Sequence, residues 1–166
     1  MSSPVLAGPT ESCPGCGAVL VAVPDDGPGH PGASPSCGRL FEVTLRGLRE
    51  ETGAEPSAAA TVRLADDAYI AQHPVPGGAA ALRDALDRLP GVLDERPVPR
   101  HAERPRRWRT TIADVAADLD VIDLPALVES WARAVYEDWG RSVQADRSGS
   151  GSSTSASCGY DGQCLL

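Results

Sequence analysis

Lysine is missing from this chain of 166 residues, and aromatic residues are scarce. All 15 basic residues are arginine, and alanine, glycine and proline are frequent, which is typical of a GC-rich genome and is not evidence of function. Because only three Trp, three Tyr and one Phe are available, the core must consist mainly of Leu, Val and Ala. This composition favours helices, and the length predicts one domain.

Long apolar runs and an excess of positive charge are also absent. No run approaches the roughly 18–20 apolar residues needed to span a bilayer, so no membrane association is expected. The first residues lack a charged segment followed by a long apolar one, so no secretory signal is expected and a cytoplasmic location follows by default. The net charge of −8 disfavours nucleic acids and anionic membranes as partners.

The most informative motif that is present is Cys13-Pro14-Gly15-Cys16-Gly17. Two thiols two residues apart on a Pro/Gly-rich turn can face one metal ion, and Cys37 can supply a third sulfur. In a reducing cytoplasm such a motif more often binds metal or does redox chemistry than forms a disulfide. Since no strand–CxxC–helix context of the thioredoxin type is visible, the pattern predicts a Zn²⁺ site, with redox activity or inert thiols as the alternatives.

A closed structural zinc site needs four ligands, so one more must come from elsewhere in the chain. His73, followed by Pro74 at the end of a predicted helix, is the first choice. His30 in the loop before Cys37 is the second, and His101 is the third; a bound water is the remaining alternative. Residues 13–38 have too few apolar side chains to close a core, so we expect the metal to replace that core.

The remaining pattern predicts a mainly α fold: a small helical domain of about five helices with an N-terminal zinc-knuckle-like segment and a disordered C-terminal tail. The expected division is a flexible lead-in over 1–12, the knuckle plus helical domain over 13–145, and a Ser/Gly/Cys tail over 146–166. A short strand is expected within 19–23. Helices are expected from Arg39 to about Gly53, from an N-cap at Ser57 to Gln72, from Ala79 to Leu89, from near Thr111, and after Asp123.

Details within these helices support further predictions. Thr111 and Asp114 resemble a capping box at the start of the fourth helix. Trp131 and Trp139 lie on one face of the fifth helix, which is expected to bury the most surface. Asp66 and Asp67 are adjacent, so their side chains diverge by about 100° around a helix and are not expected to share an ion.

An arginine-rich stretch lies between the third and fourth predicted helices. Residues 96–109 contain six arginines, together with Trp108. Such a stretch can contact phosphate or an acidic partner. The more common interpretation is a solvated loop whose arginines pair with acidic helices.

The order of the motifs resembles a family of small uncharacterised bacterial proteins, a domain of unknown function. The resemblance covers about residues 11–143. The matching motifs are the CPGCG motif, the third cysteine Cys37, the segment Asp67-Ala-Tyr-Ile-Ala-Gln-His-Pro74, and the Trp-rich helix that contains Trp131 and Trp139. The family has no established activity, so the resemblance implies a fold and a metal site rather than a reaction.

The C-terminal tail is the second informative feature, and it lies beyond this resemblance. It resembles the core of a ribosomal peptide precursor, in which a dehydrated Ser or Thr accepts a Cys thiol to form a thioether. The possible modification sites are Ser152, Ser153, Thr154, Ser155, Ser157, Cys158 and Cys164. A flexible terminus with two incidental cysteines, or a disulfide between them, is the alternative.

Three functions are therefore compatible with the sequence. The first is a zinc-stabilised binding or regulatory protein with an unknown protein partner. The second is a peptide precursor, whose folded domain is the leader for tail-modifying enzymes. The third is a zinc-dependent enzyme, which would need an open metal position occupied by water. No catalytic residue is assigned.

Overall fold

A computed structural model describes residues 8–25, 29–97 and 103–149, with side chains up to Arg141. This part of the chain is mainly helical, as predicted, and it contains one small sheet. In chain order its elements are β1 (Thr10–Ser12), β2 (Val19–Val21), α1 (Pro35–Glu51), α2 (Pro56–Gln72), α3 (Ala79–Leu93), α4 (Ile112–Ala117) and α5 (Leu124–Gly149).

The two strands form an antiparallel hairpin in which Thr10 lies opposite Val21. Strand β2 lies within the predicted segment 19–23. Strand β1 lies in residues expected to be a flexible lead-in. Its sequence, Thr-Glu-Ser, has no apolar alternation, so only its pairing with β2 reveals it.

Two helices begin differently from the prediction. Helix α1 begins at Pro35 rather than Arg39, because the Oγ of Ser34 accepts a hydrogen bond from the Cys37 amide and Pro35 fits the first turn. Helix α2 begins at Pro56, so Ser57 lies inside the helix and is not its N-cap.

Helix α3 ends later than the Pro90-Gly91 pair predicts. It passes through Pro90 and ends at Leu93, followed by Asp94 in the left-handed conformation. A proline removes one backbone donor from a helix. The turn that contains Pro90 is nevertheless helical, and both Pro90 and Leu93 are buried there. The capping box of α4 is confirmed: the Thr111 amide donates to Asp114 Oδ2 at 2.7 Å.

The core lies where α2 packs against α1, α3 and α5. Both predicted tryptophans of α5 are enclosed. Trp131 Nε1 donates to Gln72 Oε1 at 3.3 Å, and Trp139 Nε1 donates to the Ala71 carbonyl oxygen at 3.2 Å. These bonds hold the C-terminal end of α2 in place.

Helix α5 continues to Gly149, past Asp146, where the change in composition predicts the tail. The remaining tail, including every possible modification site named above, lies outside the described residues. Within the part of the chain that the structure describes, no helix has both the length and the apolar character needed to cross a membrane.

Candidate metal centre

Three cysteines and one histidine converge where the hairpin, α1 and α2 meet. They are Cys13, Cys16, Cys37 and His73. Their sulfur and nitrogen atoms all lie within 4.8 Å of one another, and all four side chains are buried. The group contains the three predicted sulfurs and the first-choice histidine.

Cys13 and Cys16 are positioned by the turn that links β1 and β2. The Cys13 amide donates to the Ala18 carbonyl oxygen at 2.8 Å, and the Gly17 amide donates to the Cys13 carbonyl oxygen at 2.9 Å. Gly17 has a φ of 79°, which glycine adopts at little cost. The tight turn directs both thiols toward α1.

Cys37 is held by the first turn of α1, which the hairpin caps from outside. The Ser36 amide donates to Glu11 Oε1 at 2.8 Å. The Ser36 hydroxyl donates to the Val21 carbonyl oxygen at 2.9 Å and accepts from the Val23 amide at 3.0 Å. The hairpin is thereby fixed to the same turn that carries Cys37.

His73 follows the last residue of α2, immediately before Pro74. Its Nδ1 lies 2.8 Å from the Tyr69 carbonyl oxygen. A carbonyl oxygen only accepts, so Nδ1 is the donor, which leaves Nε2 of a neutral ring to present a lone pair. Nε2 lies 3.5 Å from Cys37 Sγ, so this lone pair faces the sulfur cluster.

The three thiols lie close enough to share hydrogen bonds. Hydrogen bonds from Cys16 and Cys37 lower the pKa of Cys13, and the Ser34 amide also lies 3.4 Å from its sulfur. The hydrogen bond between Cys16 and Cys13 raises the pKa of Cys16 to about 11. The hydrogen bond between Cys37 and Cys13 likewise raises the pKa of Cys37. In this arrangement Cys13 is the most acidic of the three thiols.

A tyrosine hydroxyl also points at the cluster. Tyr69 donates to Cys37 Sγ across 3.7 Å, and burial raises the pKa of its own hydroxyl, so it remains a donor. A neutral donor of this kind stabilises a sulfur that carries negative charge.

His30, the second-choice ligand, lies beside the four-residue group and is not part of it. Its ring centroid is 6.0 Å from that of His73 and 5.4 Å from that of Tyr69. Its Nδ1 accepts from the Gly32 amide at 3.2 Å, and burial lowers its pKa. His101, the third choice, lies outside the described residues.

A clamp from the arginine-rich stretch covers the cysteine turn. Trp108 Nε1 donates to the Gly15 carbonyl oxygen at 3.0 Å, and Arg104 donates to the same oxygen at 2.6 Å. The composition of this stretch indicated contact with phosphate or an acidic partner, and nothing in it predicted these two backbone contacts. The other interpretation, in which its arginines pair with acidic helices, is correct for Arg109, which pairs with Glu137 and Asp138 of α5.

Gly15 packs directly against the histidine. A Cβ atom on Gly15 would lie 2.1 Å from His73 Cδ2 and 2.5 Å from the Gly32 carbonyl oxygen. No side chain fits between the cysteine turn and the imidazole, so glycine at this position is required for their close approach.

The adjacent carboxylates of α2 point to different partners, as predicted. Asp66 pairs with Arg49 at 2.7 Å, whereas Asp67 accepts from the guanidinium of Arg88 on α3. They do not form a shared site.

A family described as "Family of unknown function (DUF5946)" matches residues 11–107 and 94–140. The matched residues include all four members of the cluster and both clamp residues. No curated protein and no solved structure matches the chain.

Proposed function

The chain belongs to this family of unknown function, and from its own site we propose that it is a small binding or regulatory protein stabilised by one structural Zn²⁺ ion. Cys13, Cys16, Cys37 and His73 are the four ligands. The ion joins the hairpin to α1 and α2, and the helical domain presents the binding surface.

The distances within the cluster carry this proposal. Zn–S bonds of about 2.3 Å and Zn–N bonds of about 2.0–2.1 Å in a tetrahedron place two sulfurs about 3.8 Å apart, and a sulfur and a nitrogen about 3.5–3.6 Å apart. Cys16 Sγ and Cys37 Sγ are separated by 3.8 Å, and Cys37 Sγ and His73 Nε2 by 3.5 Å. Three sulfurs and one imidazole are also a ligand set of structural zinc.

The weak core of the hairpin supports a stabilising role for the ion. Among residues 8–25, Cys13, Cys16 and Ala18 are the buried hydrophobic residues, whereas Val19 and Val21 are exposed. So small an apolar contribution cannot hold the segment in place, and metal binding supplies the missing free energy.

The completeness of the ligand set favours a structural role over catalysis. The four side chains are only 2%, 5%, 0% and 1% exposed, in the order of the sequence. Four protein ligands fill a tetrahedral zinc, so no position is left for the water of a catalytic site. We therefore assign no reaction to the centre.

The test is the metal content and stability of the full chain, purified without added metal. We expect one zinc per chain, and we expect a chelator to expose residues 8–25 to limited proteolysis. Cys37→Ser should lose the zinc, whereas the double variant Cys158→Ser/Cys164→Ser should keep it, because it removes two thiols that the proposal does not use. A wild-type chain without zinc contradicts the proposal, as does zinc that depends on the tail cysteines.

A peptide precursor is the second candidate, and one observation favours it. The family match ends at residue 140, and the hydroxyl residues and thiols of the tail are grouped beyond it. In this function the zinc-stabilised domain is the leader that modifying enzymes recognise. Intact mass of the chain from its native host tests this: the loss of one water per dehydrated residue, located within 147–166, is expected, and an unmodified tail contradicts it.

A further inference from the structure

A groove runs between α1 and α2, beside the metal centre. Its volume is about 870 Å³, within the size range of small-molecule sites, and its lining is mostly apolar. Asp25, Gly29 and His30 lie at one end. The proposed zinc-binding function does not use this groove.

Two buried, stacked aromatic rings lie beneath the groove, and its exposed apolar surface is at the edge. Phe41 and Tyr69 stack with their centroids 4.0 Å apart and their planes 16° from parallel. Val43 is 49% exposed, and Ile70 is half-buried on the opposite helix. Both line the groove, so an apolar ligand would remove their surfaces from water.

One stripe of α1 adds positive charge to this apolar surface. Arg39, Arg46 and Arg49 all line the groove, and the first two are about 10 Å apart along the helix axis. Arg49 is occupied by Asp66 at 2.7 Å and lies over the Phe41 ring. Among the described residues, neither Arg39 nor Arg46 forms an ion pair.

The groove is lined by three carboxylates as well as three arginines, but two of the carboxylates lie against Arg49 rather than Arg39 or Arg46. Asp66 is paired with Arg49, and Glu42 Oε2 lies 3.7 Å from Arg49 Nε. The third, Asp25, is exposed in the loop after β2. Two guanidinium groups are therefore available beside an apolar edge.

We propose that this groove binds a small amphipathic anion: an apolar body that lies against Val43 and Ile70, with a carboxylate that pairs with Arg46 or Arg39. Guanidinium groups bind carboxylates through two parallel hydrogen bonds, and the apolar contacts supply the remaining affinity.

The groove shares a wall with the metal centre. The ring of Tyr69 lies beneath the groove and its hydroxyl donates to Cys37 Sγ, and His30 lines the groove at 6.0 Å from the His73 ring. The inference therefore rests on the proposed zinc-stabilised scaffold, and removal of the zinc should weaken binding.

The test uses the full-length, zinc-loaded chain and the fluorescent anion anilinonaphthalene sulfonate, with dodecanoate as a carboxylate competitor. Zinc content, folding and oligomeric state are measured on the same samples. We expect one saturable site from which dodecanoate displaces the probe. Val43→Asp and Arg46→Glu should each weaken binding at least about tenfold, through lost apolar contact and reversed charge.

Matched controls carry the same changes on another face. Val92→Asp and Arg83→Glu alter exposed residues of α3 and should change binding less than about twofold. If the folded, zinc-loaded chain binds no probe, or binds it equally in the groove variants, this inference is overturned and the zinc proposal stands. A dimer that Val43→Asp dissociates also overturns it, because a second copy would then cover the groove. A folded chain without zinc overturns the zinc proposal instead.

Discussion

The Nε2 atom of His73 lies 3.5 Å from the Sγ atom of Cys37, although 36 residues separate them along the chain. One atom belongs to the residue that follows α2, and the other belongs to the first turn of α1. An ion bound by both atoms would fix the relative position of the two helices. The proposed metal centre would therefore support the helical domain as well as the hairpin.

Separate replacement of His73 and His30 should show which of the two histidines binds the zinc. His73→Ala should lower zinc affinity by more than about 100-fold, because the loss of a residue that merely supports a ligand already costs 10–100-fold. His30→Ala, the matched control, should keep one zinc per chain. Competition with a chromophoric chelator measures both affinities. Equal losses, or a larger loss in His30→Ala, would exclude His73 as the fourth ligand.

Zinc affinity should rise with pH across the neutral range. The raised pKa values of Cys16 and Cys37, the former about 11, keep both thiols protonated at neutral pH in the metal-free chain. Zinc must displace these protons, and a third from Cys13 where the metal-free hairpin has lost its contacts, so binding should release about two to three protons per ion and tighten by up to about 100- to 1000-fold per pH unit. Calorimetry in buffers of different ionisation enthalpy counts the protons. Binding without proton release would contradict the thiol assignment.

Gly15→Ala should damage the centre without altering a ligand. Its methyl group would lie 2.1 Å from the His73 ring and 2.5 Å from a backbone oxygen, so the cysteine turn must shift. We expect a loss of about 1–3 kcal/mol in the free energy of unfolding and weaker zinc binding. Gly47→Ala, on the exposed face of α1, should instead raise stability by up to about 1 kcal/mol. Chemical denaturation of the zinc-loaded variants provides both values.

Loss of the clamp should speed the release of zinc. Arg104→Gln removes charged hydrogen bonds to the Pro14 and Gly15 carbonyl oxygens. Because Arg104 is exposed, we expect a loss of only about 1 kcal/mol, equivalent to about fivefold faster transfer of zinc to a chelator. Arg107→Gln is the control: Arg107 lies on the same loop and makes no such contact among the described residues. Identical release rates in the two variants would show that the Arg104 contacts do not slow the release of zinc.

Local signals predicted the three cysteines and offered three candidate histidines for the fourth position. The CxxC turn, the third cysteine and a histidine before Pro74 are visible as patterns, and the structure brings all four side chains together. The Thr111–Asp114 capping box is equally local and was confirmed.

Features that depend on distant contacts could not be predicted. Strand β1 exists only through its pairing with β2, and α3 continues through Pro90 in a turn that is packed into the core. The contact between Trp108 and Gly15 joins residues 93 positions apart. The groove likewise depends on how α1 and α2 pack, which helical periodicity alone does not specify.

Zinc X-ray absorption of the chain as isolated tests the central claim most directly. We expect three sulfurs at about 2.3 Å and one nitrogen at about 2.0–2.1 Å, with no oxygen ligand, because Cys13, Cys16, Cys37 and His73 complete the tetrahedron. A spectrum with three protein ligands and an oxygen would contradict the closed site and favour a zinc-dependent enzyme. Fewer than three sulfurs would contradict the cysteine assignment itself.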